Sequence, residues 1–191
     1  HIYLGQGTIA SSRPIDYKKQ ERLEVGDELT EMPEKIYQLF EHIDGAPICS
    51  DMKDSNAIGI VGTKEALYGM FKNIVIDIAV RHYYGDVRLY MLVDDEKRYQ
   101  WARFLPHLMN AGGIRNIVFD NESKNNIFES LFRELNYREQ TEEIPYYGIV
   151  LVENEFGIKN HPISRYIEQA SELGMTFVFF ENSAEELPLH C

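Results

Sequence analysis

Long apolar runs are missing from this 191-residue chain. No stretch approaches the ~20 residues of a membrane-crossing helix, and the first residues carry no signal-peptide pattern. Cysteine is scarce as well. Cys49 and Cys191 stand far apart in sequence and make neither a disulfide framework nor a metal site by spacing, so reduced thiols in a cytosolic domain are the simplest expectation. Positive charge is also short: 19 Lys and Arg face 31 Asp and Glu, for a net charge of −12. Such a chain has no electrostatic footprint for nucleic acid or anionic lipid. Its densest basic cluster, Lys18, Lys19 and Arg22, lies beside Glu21 and Glu24. Internal repeats and low-complexity tracts are absent too. What is present is ordinary globular material. Hydrophobic residues make up 44%, with twelve Tyr and ten Phe, enough for a real core. At ~100–200 residues per domain this predicts one domain with a small appendage. Neither end carries a polar Gly/Ser stretch, which leads us to expect a domain of a longer protein.

Residues 1–50 read as an N-terminal extension packing on a core domain that spans 51–191. Ile2, Leu4 and Ile9 suggest a short strand broken by Gly5 and Gly7. Pro33 is expected to begin a helix, with Ile36, Leu39, Phe40 and Ile43 on one face and Gly45 ending it. From residue 56 the pattern changes. Apolar runs at 58–61, 87–93, 117–119, 147–152 and 175–180 alternate with helical spacings. These include Leu67, Met70, Phe71, Ile74, Val75 and Ile78, then Ile127, Phe128, Leu131 and Leu135, then Ile163, Tyr166, Ile167 and Ala170 after Pro162. Strands that are continuously apolar are buried on both faces. The expected fold is therefore α/β, a mostly parallel sheet of about five strands flanked by helices. Ligand sites in such sheets lie at the carboxyl ends of the strands. Here those ends are Gly62, Asp94-Asp95, Asp120, Glu153-Asn154-Glu155 and Glu181-Asn182.

Gly59-Ile60-Val61-Gly62-Thr63-Lys64 is a strand, a turn and a helix start, the place for a phosphate-binding loop. A working loop reads G-x-x-x-x-G-K-[ST], long enough to wrap the phosphates and with a hydroxyl to hold Mg²⁺. Here Lys64 comes one place late, Glu65 stands where the hydroxyl belongs, and the loop is short. The reading is a tight strand-to-helix turn whose phosphate loop is degenerate. An apolar strand ending in an acid resembles a Walker B element. Tyr147 to Glu153 fits best and Leu89 to Asp94-Asp95 second, although such acids also serve as helix caps. A phospho-acceptor receiver domain would need its acceptor two strands beyond the acid pair. Asp120 follows Asp94 by too little chain, and another βα unit precedes the pair. Trp101 is expected to be buried at the sheet edge, with His107 structural, because no Ser or Cys stands in a nucleophile motif.

The linear order of these pieces carries a resemblance. Leu4-Gly5-Gln6-Gly7 precedes Asp27-Glu28-Leu29. Pro47-Ile48 then leads to Gly59-Ile60-Val61-Gly62. The strand Asp86-Val87-Arg88-Leu89 follows, and then Trp101-Ala102-Arg103-Phe104-Leu105-Pro106-His107. Over nearly its whole length the chain resembles the ATPase-like domain that precedes the tandem ATPase domains in FtsK/SpoIIIE-type secretion ATPases, the EssC/EccC proteins of type VII secretion systems. The resemblance implies a membrane-anchored, oligomeric parent, with this domain at the cytoplasmic face of the membrane and ATP and Mg²⁺ used by domains downstream. Gly62, Thr63 and Lys64 would occupy the degenerate phosphate-loop position and Glu153 the Walker B-like strand end, with no catalytic residue, metal site or cofactor in the domain itself.

The leading expectation is a non-hydrolytic linker or scaffold. It would couple the membrane region to the motor domains through a neighbouring ATPase domain and other secretion components, without nucleic acid, and be a monomer in isolation. The alternatives are a nucleotide-binding or hydrolysing domain with an atypical phosphate loop, and a receiver-like switch. The acids Asp94, Asp95, Asp120, Glu153 and Glu155 are expected to form a rim that docks a basic neighbour weakly.

Overall fold

Burial on both faces dictates the central sheet. The computed structural model describes residues 1–13, 15–18, 28–110, 112–153 and 157–188, with backbone alone at 28–30, 121 and 122. Two compact units emerge, Tyr3–Ser50 and the remainder, His1–Ile2 with Asp51–Cys191.

In the smaller unit, β1 (Ile2–Ala10) pairs with β2 (His42–Ser50), and α1 (Glu28–Phe40) lies between them in sequence. Three expectations are corrected here. First, β1 runs unbroken through Gly5 and Gly7, with Gly5 at φ +149, a conformation glycine adopts without steric cost. Second, Pro33 lies inside α1 rather than at its start. A proline removes one intrahelical hydrogen bond, here to the carbonyl of residue 29 in the first turn, and the helix forms ahead of it. Third, α1 stops at Phe40. Ile43 therefore belongs to β2, as does Gly45 at φ +67. Ile36, Leu39 and Phe40 do share a helical stripe, yet all three are exposed.

The larger unit is built on a five-stranded parallel sheet in the order β3-β7-β6-β4-β5. Its strands are β3 (Ala57–Val61), β4 (Val87–Leu92), β5 (Ile117–Val118), β6 (Tyr147–Glu153) and β7 (Met175–Glu181). The central strands β6 and β7 are buried almost throughout, as their unbroken apolar runs require. One face is covered by α4 (Asn121–Thr141) and a 3-10 helix, Pro162–Gln169. There Phe128, Leu131, Leu135, Ile163, Tyr166 and Ile167 meet Tyr90, Leu92, Val150, Val152, Phe177 and Phe179. Sequence periodicity predicts a helix started by Pro162 and closed by Gly174. In the tighter form Ile163 and Tyr166 eclipse each other at i and i+3 and Ile167 adjoins them, and all three are buried. On the other face, α2 (Lys64–Arg81) buries Leu67, Phe71, Ile74, Val75 and Ile78. Phe71 packs on Phe180 of β7 and on Tyr99. Tyr99 ends the short α3 (Glu96–Tyr99), which runs on into 3-10 turns at Gln100–Phe104 and Pro106–Leu108.

Register brings the strand ends level. Val61 pairs with Glu181, Glu153 with Phe180, and Leu92 with both Val152 and Val118. At the opposite end of β7, a buried arginine fixes the entry turn. Arg138 is 1% exposed. It bonds Glu134 at 3.0 Å and donates to the carbonyls of Leu173 and Gly174 at 2.8 and 3.2 Å. Its guanidinium lies over the Tyr146 ring, as does that of Arg88. Gly174 turns the chain at φ +67, and a Cβ there would clash with Ile144 Cγ2. Arg138→Ala strands the Leu173 carbonyl, the Gly174 carbonyl keeping its bond from Gly148 N–H at 2.9 Å, and leaves a cavity, and should cost ~2–3 kcal/mol. Gly174→Ala combines a left-handed residue with a clash and should cost at least ~2 kcal/mol. At ~2–4 °C per kcal/mol for a chain of this size, calorimetry should show a clear fall in Tm for both.

Candidate functional site

The carboxyl ends of the strands collect every residue that sequence reading singled out as a nucleotide-site remnant. At the end of β3, Gly62 N–H donates to the Glu181 carbonyl at 3.2 Å. Only Gly62 and Thr63 separate β3 from α2. Thr63 is the helix cap, its Oγ1 accepting from Ala66 N–H at 3.4 Å. The connection is thus a capped turn, not a loop that arches away from the helix to wrap phosphates. Gly62 holds no close approach either: an added Cβ would meet only Leu67 and Ala66 at ordinary contact distance.

Lys64 and Glu65 open α2, and a residue that sequence reading missed lies against them. Arg98 of α3 pairs with Glu65 Oε2 at 3.0 Å and reaches the Lys64 carbonyl at 3.5 Å. Its guanidinium lies 4.2 Å from the centre of the Tyr68 ring, and the Tyr68 hydroxyl donates to the Arg98 carbonyl at 3.1 Å. Asp95 caps α3 by accepting from Arg98 N–H at 3.1 Å. The result is a strap that holds α3 on the first turn of α2. Lys64 itself is exposed and lines an open depression of about 430 Å³ with Asp94, Asp95, Glu96 and Lys97. Its three carboxylates outnumber its two lysines, so the depression offers no net positive charge to a phosphate.

Glu153 is almost fully buried, at 9% exposure, and accepts a hydrogen bond from the Tyr99 hydroxyl. Its other oxygen, Oε2, makes no hydrogen bond. Burial pushes its carboxyl above the usual range, the Tyr99 bond opposes this, and the neighbouring Asp94 charge adds to the rise. Burial likewise drives the Tyr99 phenol upward, reinforced by Glu153. Burying a carboxylate costs more than burying the neutral acid, so this environment favours the protonated form.

The predicted acidic rim is therefore corrected. Glu153 points into the protein rather than outward. Asp95 and Asp120 serve as helix caps, Asp120 accepting from Ser123 N–H at 2.8 Å. Glu155 lies outside the described residues. A triphosphate with Mg²⁺ does not fit this arrangement: the turn is too short, an acid, Glu65, stands in the first helical turn where the metal-holding hydroxyl belongs, and the Walker B-like acid is held by a phenol. Among the described residues, no group of three or more His, Cys, Asp or Glu is placed to hold a metal ion.

Trp101 and His107 exchange their expected ranks. His107 is buried, its Nε2 2.9 Å from the His82 carbonyl oxygen, which makes it structural. Trp101 is only half-buried, with Lys72 Nζ 6.0 Å from its ring centre. A fully buried aromatic costs ~3–5 kcal/mol on truncation. Trp101→Ala should cost less than that, and His107→Ala should destabilise at least as much, by thermal melts of the two variants.

Glu153 also supplies a pH test. Its folded-state pKa lies above its unfolded value, so the native state binds the extra proton between them. Stability contributed by Glu153 is therefore present at low pH and lost as pH rises through that window. Glu153→Gln keeps the shape without the charge. It should raise Tm at neutral pH by roughly 2–4 °C, equivalent to ~1 kcal/mol, and the gain should vanish near pH 4.

Comparison with known proteins places this geometry in context. No protein-family model matches the chain. The type VII secretion system protein EssC of Staphylococcus aureus (strain MSSA476) is 27% identical over 205 aligned residues, taking in all of this chain and 14% of that protein. The ESX secretion system protein EccC of Geobacillus thermodenitrificans is 25% identical over 171 residues, covering 84% of this chain and 11% of that one. The chain thus spans about one seventh of these relatives or less. Among solved structures, EssC (ATPases 2 and 3) from Geobacillus thermodenitrificans superposes with a TM-score of 0.59 at 17% identity, over 80% of this chain and 32% of that one. The cytoplasmic domain of the Thermomonospora curvata type VII secretion ATPase EccC gives 0.60 at 11% identity, over 72% and 17%. These structures establish the fold, the α/β architecture of the EccC and EssC ATPase domains.

Proposed function

We propose that this chain, a homologue of the EssC and EccC proteins of type VII secretion, is an ATPase-like domain that does not hydrolyse ATP and links the membrane region of its parent to downstream motor domains. The observation that carries the reading is the first turn of α2. In an ATPase of this fold, that turn and the loop before it receive the phosphates. Here Thr63 caps it, Glu65 adds a negative charge, and Arg98 binds Glu65 from the side. Lys64 faces carboxylates, and Glu153 is engaged by Tyr99. Gly62, Thr63, Lys64 and Glu153 thus hold the positions of a nucleotide site without its chemistry.

The remaining parts of the reading follow from homology. The domain acts at the cytoplasmic face of the membrane, beside a neighbouring ATPase domain of the same oligomeric parent. ATP and Mg²⁺ are used by the downstream domains. Among the described residues no helix is long and apolar enough to cross a membrane. An acidic chain of this composition has no nucleic-acid partner.

Calorimetric titration of the 191-residue protein with Mg-ATP, together with a steady-state phosphate-release assay, tests the proposal. We expect no saturable heat and no turnover. Saturable binding without turnover would support the second reading, a nucleotide-binding domain with an atypical loop. Turnover that disappears in Glu153→Gln would overturn the proposal outright.

A further inference from the structure

The outer side of α2 does not look like the outside of a soluble helix. A surface helix normally carries one apolar stripe facing the core and a polar opposite side. Helix α2 buries Leu67, Phe71, Ile74, Val75 and Ile78, yet Ile76 and Val80, one turn apart, face outward. Val80 is 79% exposed. Tyr83 and Tyr84, just past the helix end, continue the stripe and are exposed as well. The segment 100–108 runs alongside and is tied to α2 at both ends. Lys72, one turn before Ile76, lies over the Trp101 ring. At the other end Tyr84 meets His107 edge-on, with centroids 6.4 Å apart. Between these anchors Phe104 is 80% exposed, with the Arg115 guanidinium 5.5 Å from its ring centre.

Charge sets this face apart from the rest of the molecule. Residues 57–119, which supply α2, α3 and the 100–108 segment, carry eight Lys and Arg and six Asp and Glu. Residues 120–191 carry five and fourteen. The cations flanking the apolar stripe are Lys72, Arg81, Arg103 and Arg115. The acids near it are Asp77, 2.7 Å from Arg81, and Glu96, 4.0 Å from Arg103. Asp86 lies at the end of the stripe, its N–H donating to the Tyr83 carbonyl at 3.0 Å. With Arg81 and Arg103 paired to acids, Lys72 and Arg115 are the cations beside the apolar groups that form no ion pair among the described residues, and on a protein of net charge −12 they fit a partner that is apolar on one side and acidic on its flanks.

We propose that the face formed by Ile76, Val80, Tyr83, Tyr84 and Phe104 is a docking surface for an acidic amphipathic helix of another domain or protein. The ridge of α2 offers Ile76 and Val80 at i and i+4, the spacing over which a second helix packs, and Tyr83 and Tyr84 extend the apolar area past the helix end. Lys72 and Arg115 select for carboxylates at its edges and speed the encounter. This surface is separate from the strand ends, and its test does not depend on whether ATP is hydrolysed.

Trp101, the sole tryptophan, lies at the edge of this face and reports on it. The probes are two synthetic amphipathic peptides of about 18 residues, five helical turns. Both carry the same leucine stripe, with glutamates flanking it in one and lysines in the other. The acidic peptide should shift Trp101 emission saturably and weaken with added salt, and the basic one should bind at least about tenfold more weakly. Val80→Glu and Phe104→Ala should each weaken the acidic peptide by about tenfold or more. Both positions are exposed, and circular dichroism checks the fold. Equal binding of the two peptides would overturn the proposal, as would affinity unchanged in Val80→Glu or no binding of the acidic peptide at ~1 mM. Self-association in sedimentation that Val80→Glu abolishes would also overturn it, assigning the face to a second copy of this chain.

Discussion

Everything in the larger unit depends on a parallel sheet that must be covered on both faces. Strands β6 and β7 lie in the middle and expose almost nothing, so a helical layer is required on either side. Residues alternate along each strand: Phe177 and Phe179 look toward α4, and Phe180 toward α2. This alternation decides more than packing. Glu153, the last residue of β6, falls on the same side as α2 and α3, and that placement brings its carboxyl to Tyr99 rather than to water. A one-residue shift in register would send it to the opposite face.

The same constraint explains why the strand ends look like a nucleotide site while their chemistry differs. The fold brings a strand-to-helix turn, a Walker B-like acid and an acid pair to one edge, whatever side chains they carry. At this edge several polar groups find partners within the chain. Thr63 caps α2, Asp95 caps α3, Asp120 opens α4, and Arg98 pairs with Glu65. An ion pair with one partner 86% exposed contributes little stability in water. Its consequence is positional: α3 is held to the first turn of α2, and the acid pair that follows β4 is held with it.

How far the sequence reveals this depends on range. The sheet strands were legible because a continuous apolar run needs no knowledge of its neighbours. The spacings for α2 and α4 likewise identified buried residues, Phe71 and Leu131 among them. Pairings between distant elements were not legible. Nothing local says that Arg98 meets Glu65 or that Tyr99 meets Glu153. An acid at the end of a strand reads the same whether it points outward or inward, which is why Glu153 was expected on the rim. In the smaller unit, the spacing of Ile36, Leu39 and Phe40 signalled an amphipathic helix, but periodicity does not say what covers the stripe, and these residues are exposed. The helix start at Pro33 was misplaced because proline marks a position where a helix can begin without requiring it to begin there.

Two kinds of surface remain on the larger unit, and they differ in how charge is used. At the strand ends Glu153 is turned inward to a phenol, while Asp95 and Asp120 are used as helix caps and Asp94 stays exposed. Along α2 and the 100–108 segment the reverse holds. Apolar groups are left outside, while cations lie over the aromatic rings Trp101 and Phe104. A cation over a ring face keeps its charge available at its outer side while shielding part of the apolar area. That arrangement lets an acidic protein expose Val80 and Phe104 and still discriminate among partners by charge. On the function proposed above, a domain whose strand-end groups are bonded internally would pass position to its neighbours through another surface. The rigid sheet, covered on both faces, is the element that connects the two.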